Sequence, residues 1–194
     1  MTMREQLDEL NGYWKENCKC ELKKTATQAV FGDGNAEAEV VFVGEAPGKN
    51  EDLGGRPFIG AAGKFLEEML ESIGMKRENI YITNIVKYRP PNNRDPEPEE
   101  KKDCSEWLYK ELSIISPKLV IFLGRHSMND FFPDLKISDA HGKLIIKKFK
   151  HIPVEHFLPL YHPAAALYNG GMRETLIKDF KKIPKALEKI ASHV

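Results

Sequence analysis

Three short, largely apolar runs most constrain what this chain can fold into. They are Glu39-Val40-Val41-Phe42-Val43-Gly44, Ile80-Tyr81-Ile82-Thr83-Asn84-Ile85-Val86 and Leu119-Val120-Ile121-Phe122-Leu123-Gly124. Each has the length and bounds of a buried strand. The segments between them read as helices. Residues 62–73 place Phe65, Leu66, Met69, Leu70 and Ile73 at helical spacing, with Gly74 as a stop. A second helix is predicted over about 98–114. Strands alternating with helices specify an α/β sheet with parallel pairing at its centre.

The remaining segments fill in around this pattern. Residues 4–16 predict a helix with Leu7, Leu10 and Trp14 on one side, and a short helix follows near 126–132. Pro90-Pro91-Asn92-Asn93-Arg94-Asp95-Pro96 is a loop, since three prolines and two asparagines allow nothing regular. Residues 143–149 and 152–158 read as a hairpin-like pair. Leu176, Phe180, Ile183, Leu187 and Ile190 make an amphipathic helix, with a kink or restart expected at Pro184.

With 194 residues, the chain suffices for one domain and is short for two. No apolar run approaches the roughly 20 residues that span a bilayer. The N-terminus, Met1-Thr2-Met3-Arg4-Glu5-Gln6, carries no signal-peptide core, so a cytoplasmic location without a membrane partner is expected. Lys and Arg number 29, as do Asp and Glu, for a net charge of zero. That excludes coating of nucleic acid through bulk charge but leaves room for a local basic rim. Lys49, Arg56, Lys87, Arg89, Arg94 and Arg125 are the candidates for that rim.

Sites in parallel sheets form beyond the carboxyl ends of the strands. There this chain places Glu45 after the first run, Asn84 near the end of the second, Arg125 after the third, and His162 after a further apolar stretch. Glu45 is either a turn residue or a carboxylate that orients water. Phe58, framed by Gly54-Gly55-Arg56-Pro57 and Ile59-Gly60, is either core or a stacking platform for a flat ring. The Asn84 amide either bonds neighbouring backbone or matches the O4 and N3–H edge of uracil. Cys18, Cys20 and Cys104 are too few and too unevenly spaced for a disulfide framework. They are either plain thiols or ligands of a metal or iron–sulfur cluster.

Four motifs in order, Gly44-Glu45-Ala46-Pro47-Gly48, Gly55-Arg56-Pro57-Phe58-Ile59-Gly60, Thr83-Asn84-Ile85-Val86-Lys87 and His162-Pro163-Ala164, resemble those of the family 4 uracil-DNA glycosylases. The resemblance runs from about Cys18 to about Phe180. It implies a single domain over 1–194, a three-layer α/β/α sandwich around a central, mainly parallel four-stranded sheet. The implied reaction is hydrolysis of the N-glycosidic bond of deoxyuridine in DNA after base flipping. By this resemblance Glu45 and His162 are catalytic. Glu51, with Asp52 beside it, Phe58 and Asn84 bind substrate. Arg56, Lys87, Arg89 and Arg125 meet the DNA, and Leu167 is its wedge. The implied partners are uracil-containing DNA at the nucleoid, and a polymerase or sliding clamp.

The resemblance also implies an iron–sulfur cofactor of the [4Fe-4S] type. Here the chain departs from the family pattern of C-x-x-C followed by two more cysteines. Its first pair is Cys18-Lys19-Cys20, Cys104 matches, and Tyr88 stands where a cysteine is usual. The competing reading is a non-catalytic DNA-binding or polymerase-associated module of the same fold.

Overall fold

Successive residues of Val40–Gly44 point into two different cores. Val40 and Phe42 bury on one face with Leu66, Leu70, Phe180 and Ile183. Val41 and Val43 bury on the other with Leu7, Leu108, Leu112 and Met128. A strand alternates its side chains between faces, so a run apolar at every position must be covered on both. The sheet is therefore the middle of three layers.

In chain order the elements are α1 (Met3–Asn17), β1 (Asp33–Gly34), β2 (Val40–Gly44), α2 (Lys49–Gly54), α3 (Ala61–Ser72), β3 (Tyr81–Asn84), α4 (Pro98–Ile115), β4 (Leu119–Leu123), α5 (Arg125–Phe131), α6 (Ile137–Ala140), β5 (Ile145–Ile146), β6 (His156–Leu160), α7 (Pro163–Tyr168), α8 (Gly170–Phe180) and α9 (Lys182–Ala191). They are those of a computed structural model that describes residues 1–193. No helix among these residues is long and apolar enough to cross a membrane.

The sheet has six strands in the order β1-β3-β2-β4-β6-β5. The four central strands, β3, β2, β4 and β6, pair in parallel as expected. Antiparallel β1 and β5 extend the sheet to six. At two residues each, they are too short to show an alternating pattern in sequence. The expected hairpin is present, with Ile145 opposite Phe157, but its long arm is also the fourth parallel strand.

Local sequence sets the helix boundaries. Thr2 and Glu5 form a capping box at the start of α1, and Glu97 and Glu100 form one at α4. The C-terminal amphipathic stretch is two helices, broken at Lys181. Pro184 lies in the first turn of α9, where a missing N–H costs no hydrogen bond, so the chain restarts rather than kinks.

The path of the chain positions the site. From β2 it crosses to β3 on one side, then returns to lay β4 on the other side of β2. The strand order reverses at β2 and β4, and the carboxyl ends there open a crevice.

Candidate active site

A cavity of about 350 Å³ lies at these carboxyl ends, lined among others by Glu45, Glu51, Phe58, Asn84, Asp95 and His162. That volume suits a single nucleobase with surrounding water. The five residues expected in catalysis and substrate binding thus meet in one pocket. Asp52 turns away: it is buried, and its carboxylate accepts the Thr27 amide at 2.9 Å.

Two glycines let the pocket close up. A Cβ on Gly44 would lie 2.5 Å from Asn84 Oδ1 and 2.7 Å from the Phe58 ring. A Cβ on Gly63 would lie 1.8 Å from the Phe58 carbonyl oxygen, so α3 packs against that backbone only because position 63 has no side chain. Phe58 itself has φ of 51°, the left-handed region, which costs a non-glycine residue about 1–2 kcal/mol. The ring stacks on His162, with centroids 5.7 Å apart and planes at 30°.

Asn84 closes β3. Its side chain is buried and its Oδ1 has no partner within the protein. An unpaired buried acceptor costs about 1–3 kcal/mol, so a ligand N–H placed here meets an acceptor already stripped of water.

His162 is the N-cap of α7, and its Nδ1 accepts the Ala164 amide at 3.0 Å. That bond fixes the tautomer, because an accepting Nδ1 leaves the proton on Nε2. Burial, reinforced by the neighbouring His126, pushes its pKa down to about 4. At neutral pH the ring is an uncharged donor.

Glu45 carries the opposite shift. Burial, with the Asp95 carboxylate beside it, raises its pKa to about 7. Glu45, Asp95 and His126 present ligand atoms within 4.8 Å of one another. His126 Nε2 stands 3.4 Å from Asp95 and 3.8 Å from Glu45. His126 begins from the end of β4 and Glu45 from the end of β2, so they face each other across the strand-order reversal. Burial also lowers the pKa of His126 and raises that of Glu51.

The expected basic rim is only partly present. Lys87 is a correction: it is fully buried, paired with Glu111, and donates to the Asn84 carbonyl at 2.8 Å. It follows a strand whose neighbours are core on both sides, and Glu111 on α4 supplies the charge that lets a lysine remain there. Arg56 is exposed but pairs with Asp33 and lines a separate cavity with Glu67 and Arg77. Arg89 bonds Asn93 at 2.7 Å, and Arg94 lines the pocket while pairing with Glu100. Arg125 and Lys49 are exposed. Leu167 lies on α7 and is 40% exposed; Tyr168 beside it, which the sequence reading passed over, is 91% exposed. Asp95 and His126 were also passed over, although His126 directly follows Arg125 at a strand end.

The cysteines gather away from the pocket. Cys18, Cys20 and Cys104 are buried with Tyr88, Val86 and Trp107. Cys18 and Cys20 reach the Asp103 and Glu100 carbonyls of α4 at 3.8 and 3.9 Å, and the neighbouring Cys104 holds the Cys18 pKa down to about 7 and lowers that of Cys20 while its own is raised. The Tyr88 hydroxyl is buried without a partner. Burial and the charges of all three cysteines push its pKa up. The donor set is thus three thiols facing one orphaned phenol.

Comparisons with known proteins agree with this geometry. The model for the "Uracil DNA glycosylase superfamily" matches residues 31–190. A type-4 uracil-DNA glycosylase of Archaeoglobus fulgidus is 51% identical over 172 residues, 85% of this chain and 85% of that protein. One of Sulfurisphaera tokodaii is 50% identical over 171 residues, 85% of this chain and 77% of that protein. A DNA polymerase of Bacillus phage SP01 is 30% identical over 168 residues, which is 86% of this chain but 18% of the polymerase.

Proposed function

Because the chain belongs to the uracil DNA glycosylase superfamily, we propose that it excises uracil from DNA by hydrolysing the N-glycosidic bond and leaves an abasic site. The observation that carries this reading is the fixed tautomer of His162, an uncharged Nε2–H donor in a pocket sized for one base. Breaking the C–N bond puts negative charge on the departing base and oxocarbenium character on the sugar. A donor aimed at the uracil O2 stabilises the first without the energetic cost of desolvating a charged imidazolium. Ionised Glu45 orients water against the second.

Recognition follows from the rest of the pocket. Asn84 accepts from N3–H through its orphaned Oδ1 and donates to O4 through its amide nitrogen. Cytosine presents the reverse pattern. Phe58 stacks on the flipped ring, and with it the surrounding loop fills the space beside C5, where thymine carries its methyl group. Arg89, Arg94 and Arg125 contact the phosphodiester backbone, and Leu167 occupies the gap left by the base.

Cys18, Cys20 and Cys104 would hold an iron–sulfur cluster, with Tyr88 as the candidate fourth ligand. When bound, it supplies a structural link between the segment after α1 and the helix bearing Cys104, and no redox step is needed for glycosidic hydrolysis. A polymerase is the natural protein partner, since a related sequence occupies part of a phage polymerase.

Strand nicking by alkali after incubation with a uracil-containing oligonucleotide tests the activity. Cleavage at uracil, with none at thymine in a matched strand, is expected. Tight binding of uracil DNA without abasic sites would instead establish the non-catalytic module.

A further inference from the structure

Phe58 is the one pocket residue held in a left-handed backbone conformation without being glycine, asparagine or serine. Something must hold it there: its ring stacks on His162, while its backbone packs against α3 at Gly63, where a Cβ would lie 1.8 Å from the Phe58 carbonyl oxygen. A further restraint comes from outside the pocket. Arg77 donates from Nη1 to the Phe58 carbonyl at 2.6 Å and from Nη2 to the Pro57 carbonyl. One planar guanidinium thus grips two consecutive peptide groups, a geometry that a lysine cannot reproduce.

Arg77 is itself fixed. It opens the short turn Arg77–Asn79 that leads directly into β3, the strand carrying Asn84. Its guanidinium lies 3.5 Å from Glu67 on α3 and 3.9 Å from Asp33 on β1, and its side chain is 14% exposed. It lines the charged cavity on the flank of the sheet, and it is absent from the lining of the base pocket. So it reaches the platform from behind, through the Pro57 and Phe58 carbonyls, and is not itself a lining residue of the pocket.

We propose that Arg77 is the positioning residue of the base platform: by gripping the Pro57 and Phe58 carbonyls it sets the height and tilt of the Phe58 ring relative to Asn84. The main chain of Arg77 leads into the strand that carries Asn84, so its side chain ties the platform loop to that strand. It therefore fixes the spacing between them. This inference rests on the reading of Phe58 as the surface on which uracil stacks.

A double-mutant cycle on uracil excision tests it. Phe58→Ala should raise KM by about 5- to 100-fold, the range for loss of one base–aromatic stack, with a smaller change in kcat. Arg77→Ala should raise KM in the same way, and Arg77→Lys should restore part of the loss by keeping one of the two bonds. The variant lacking both Phe58 and Arg77 side chains should be no worse than Phe58→Ala, because Arg77 acts only through the ring. A general structural role would give losses that multiply, or a fall in kcat with KM unchanged; either overturns the proposal. Thermal melts of each variant identify unfolding, and Arg77→Lys carries the test if Arg77→Ala does not fold. Normal KM in Phe58→Ala would remove the platform reading and this proposal with it, whereas a defective Phe58→Ala with a normal Arg77→Ala would remove this proposal alone.

Discussion

Lys87 and Glu111 form an ion pair from which solvent is wholly excluded. Thr83 and Tyr81 also donate their hydroxyls to Glu111, and Lys87 donates to the Asn84 carbonyl. The pair fastens the end of β3 to α4 and thereby holds Asn84, the proposed reader of the base. Removing one partner leaves the other as an uncompensated buried charge, at a cost of about 3–5 kcal/mol. Lys87→Met should therefore lower Tm by roughly 10 °C. Replacing Glu111 with Leu in the same chain should recover much of the loss. A surface lysine would do neither, so calorimetry on the two variants checks the buried assignment.

The pH dependence of excision should show one limb near neutrality. In the proposed mechanism Glu45 acts as a carboxylate, and its pKa is raised to about 7, so the single-turnover rate should climb with pH and level off above that value. The charged groups around it are Asp95, His126, Lys101 and Arg125. Asp95→Asn removes a neighbouring negative charge and should move the limb to lower pH; Glu45→Gln should abolish it. His162, with a pKa near 4, should add no limb above about pH 5. A limb that persists in Glu45→Gln would assign it to another group.

His162→Ala should slow the chemical step by roughly 10²- to 10³-fold, the scale for losing one anion-stabilising donor. Binding of an uncleavable uracil analogue in DNA should change far less. Equal losses in binding and turnover would mean that His162 serves only as the cap of α7.

Leu167 and Tyr168 form an exposed apolar lip on the helix that His162 caps. Leu167→Ala should depress excision from duplex DNA more than from single strands, because only the duplex needs its gap filled. A ratio of duplex to single-strand rates equal to that of the unsubstituted protein would rule Leu167 out as the wedge.

Anaerobically purified protein should be brown and contain iron. A phenolate is a harder ligand than a thiolate, so Tyr88→Cys should raise iron content and resistance to air. Elemental analysis and visible absorption before and after oxygen exposure check this. Colourless, iron-free protein from both chains would remove the cluster while leaving the pocket intact.

The sequence makes the central sheet legible because β2 and β4 are apolar at almost every position and β3 begins within the apolar run Ile80-Tyr81-Ile82, a pattern with few other solutions. That Glu45, Phe58, Asn84 and His162 share one pocket is legible because each sits in a short motif at a strand end or glycine-rich turn. Lys87 was misread for the same reason: it lies in a motif, but its burial depends on Glu111, 24 positions away and on another element. Arg77 gave no signal, since its partners are backbone carbonyls, which any sequence provides. His126 and Asp95 became meaningful only once the strand order brought the ends of β2 and β4 together.

The two-residue strands at the margins of the sheet bear on how copies of this protein coexist. An open sheet edge is a row of unpaired backbone groups that invites a second chain to pair. A chain of zero net charge has no long-range repulsion to keep its copies apart. Here the outermost strands offer only Asp33–Gly34 on one side and Ile145–Ile146 on the other. With so little edge available for templated pairing, colloidal stability rests on blunt geometry instead of charge.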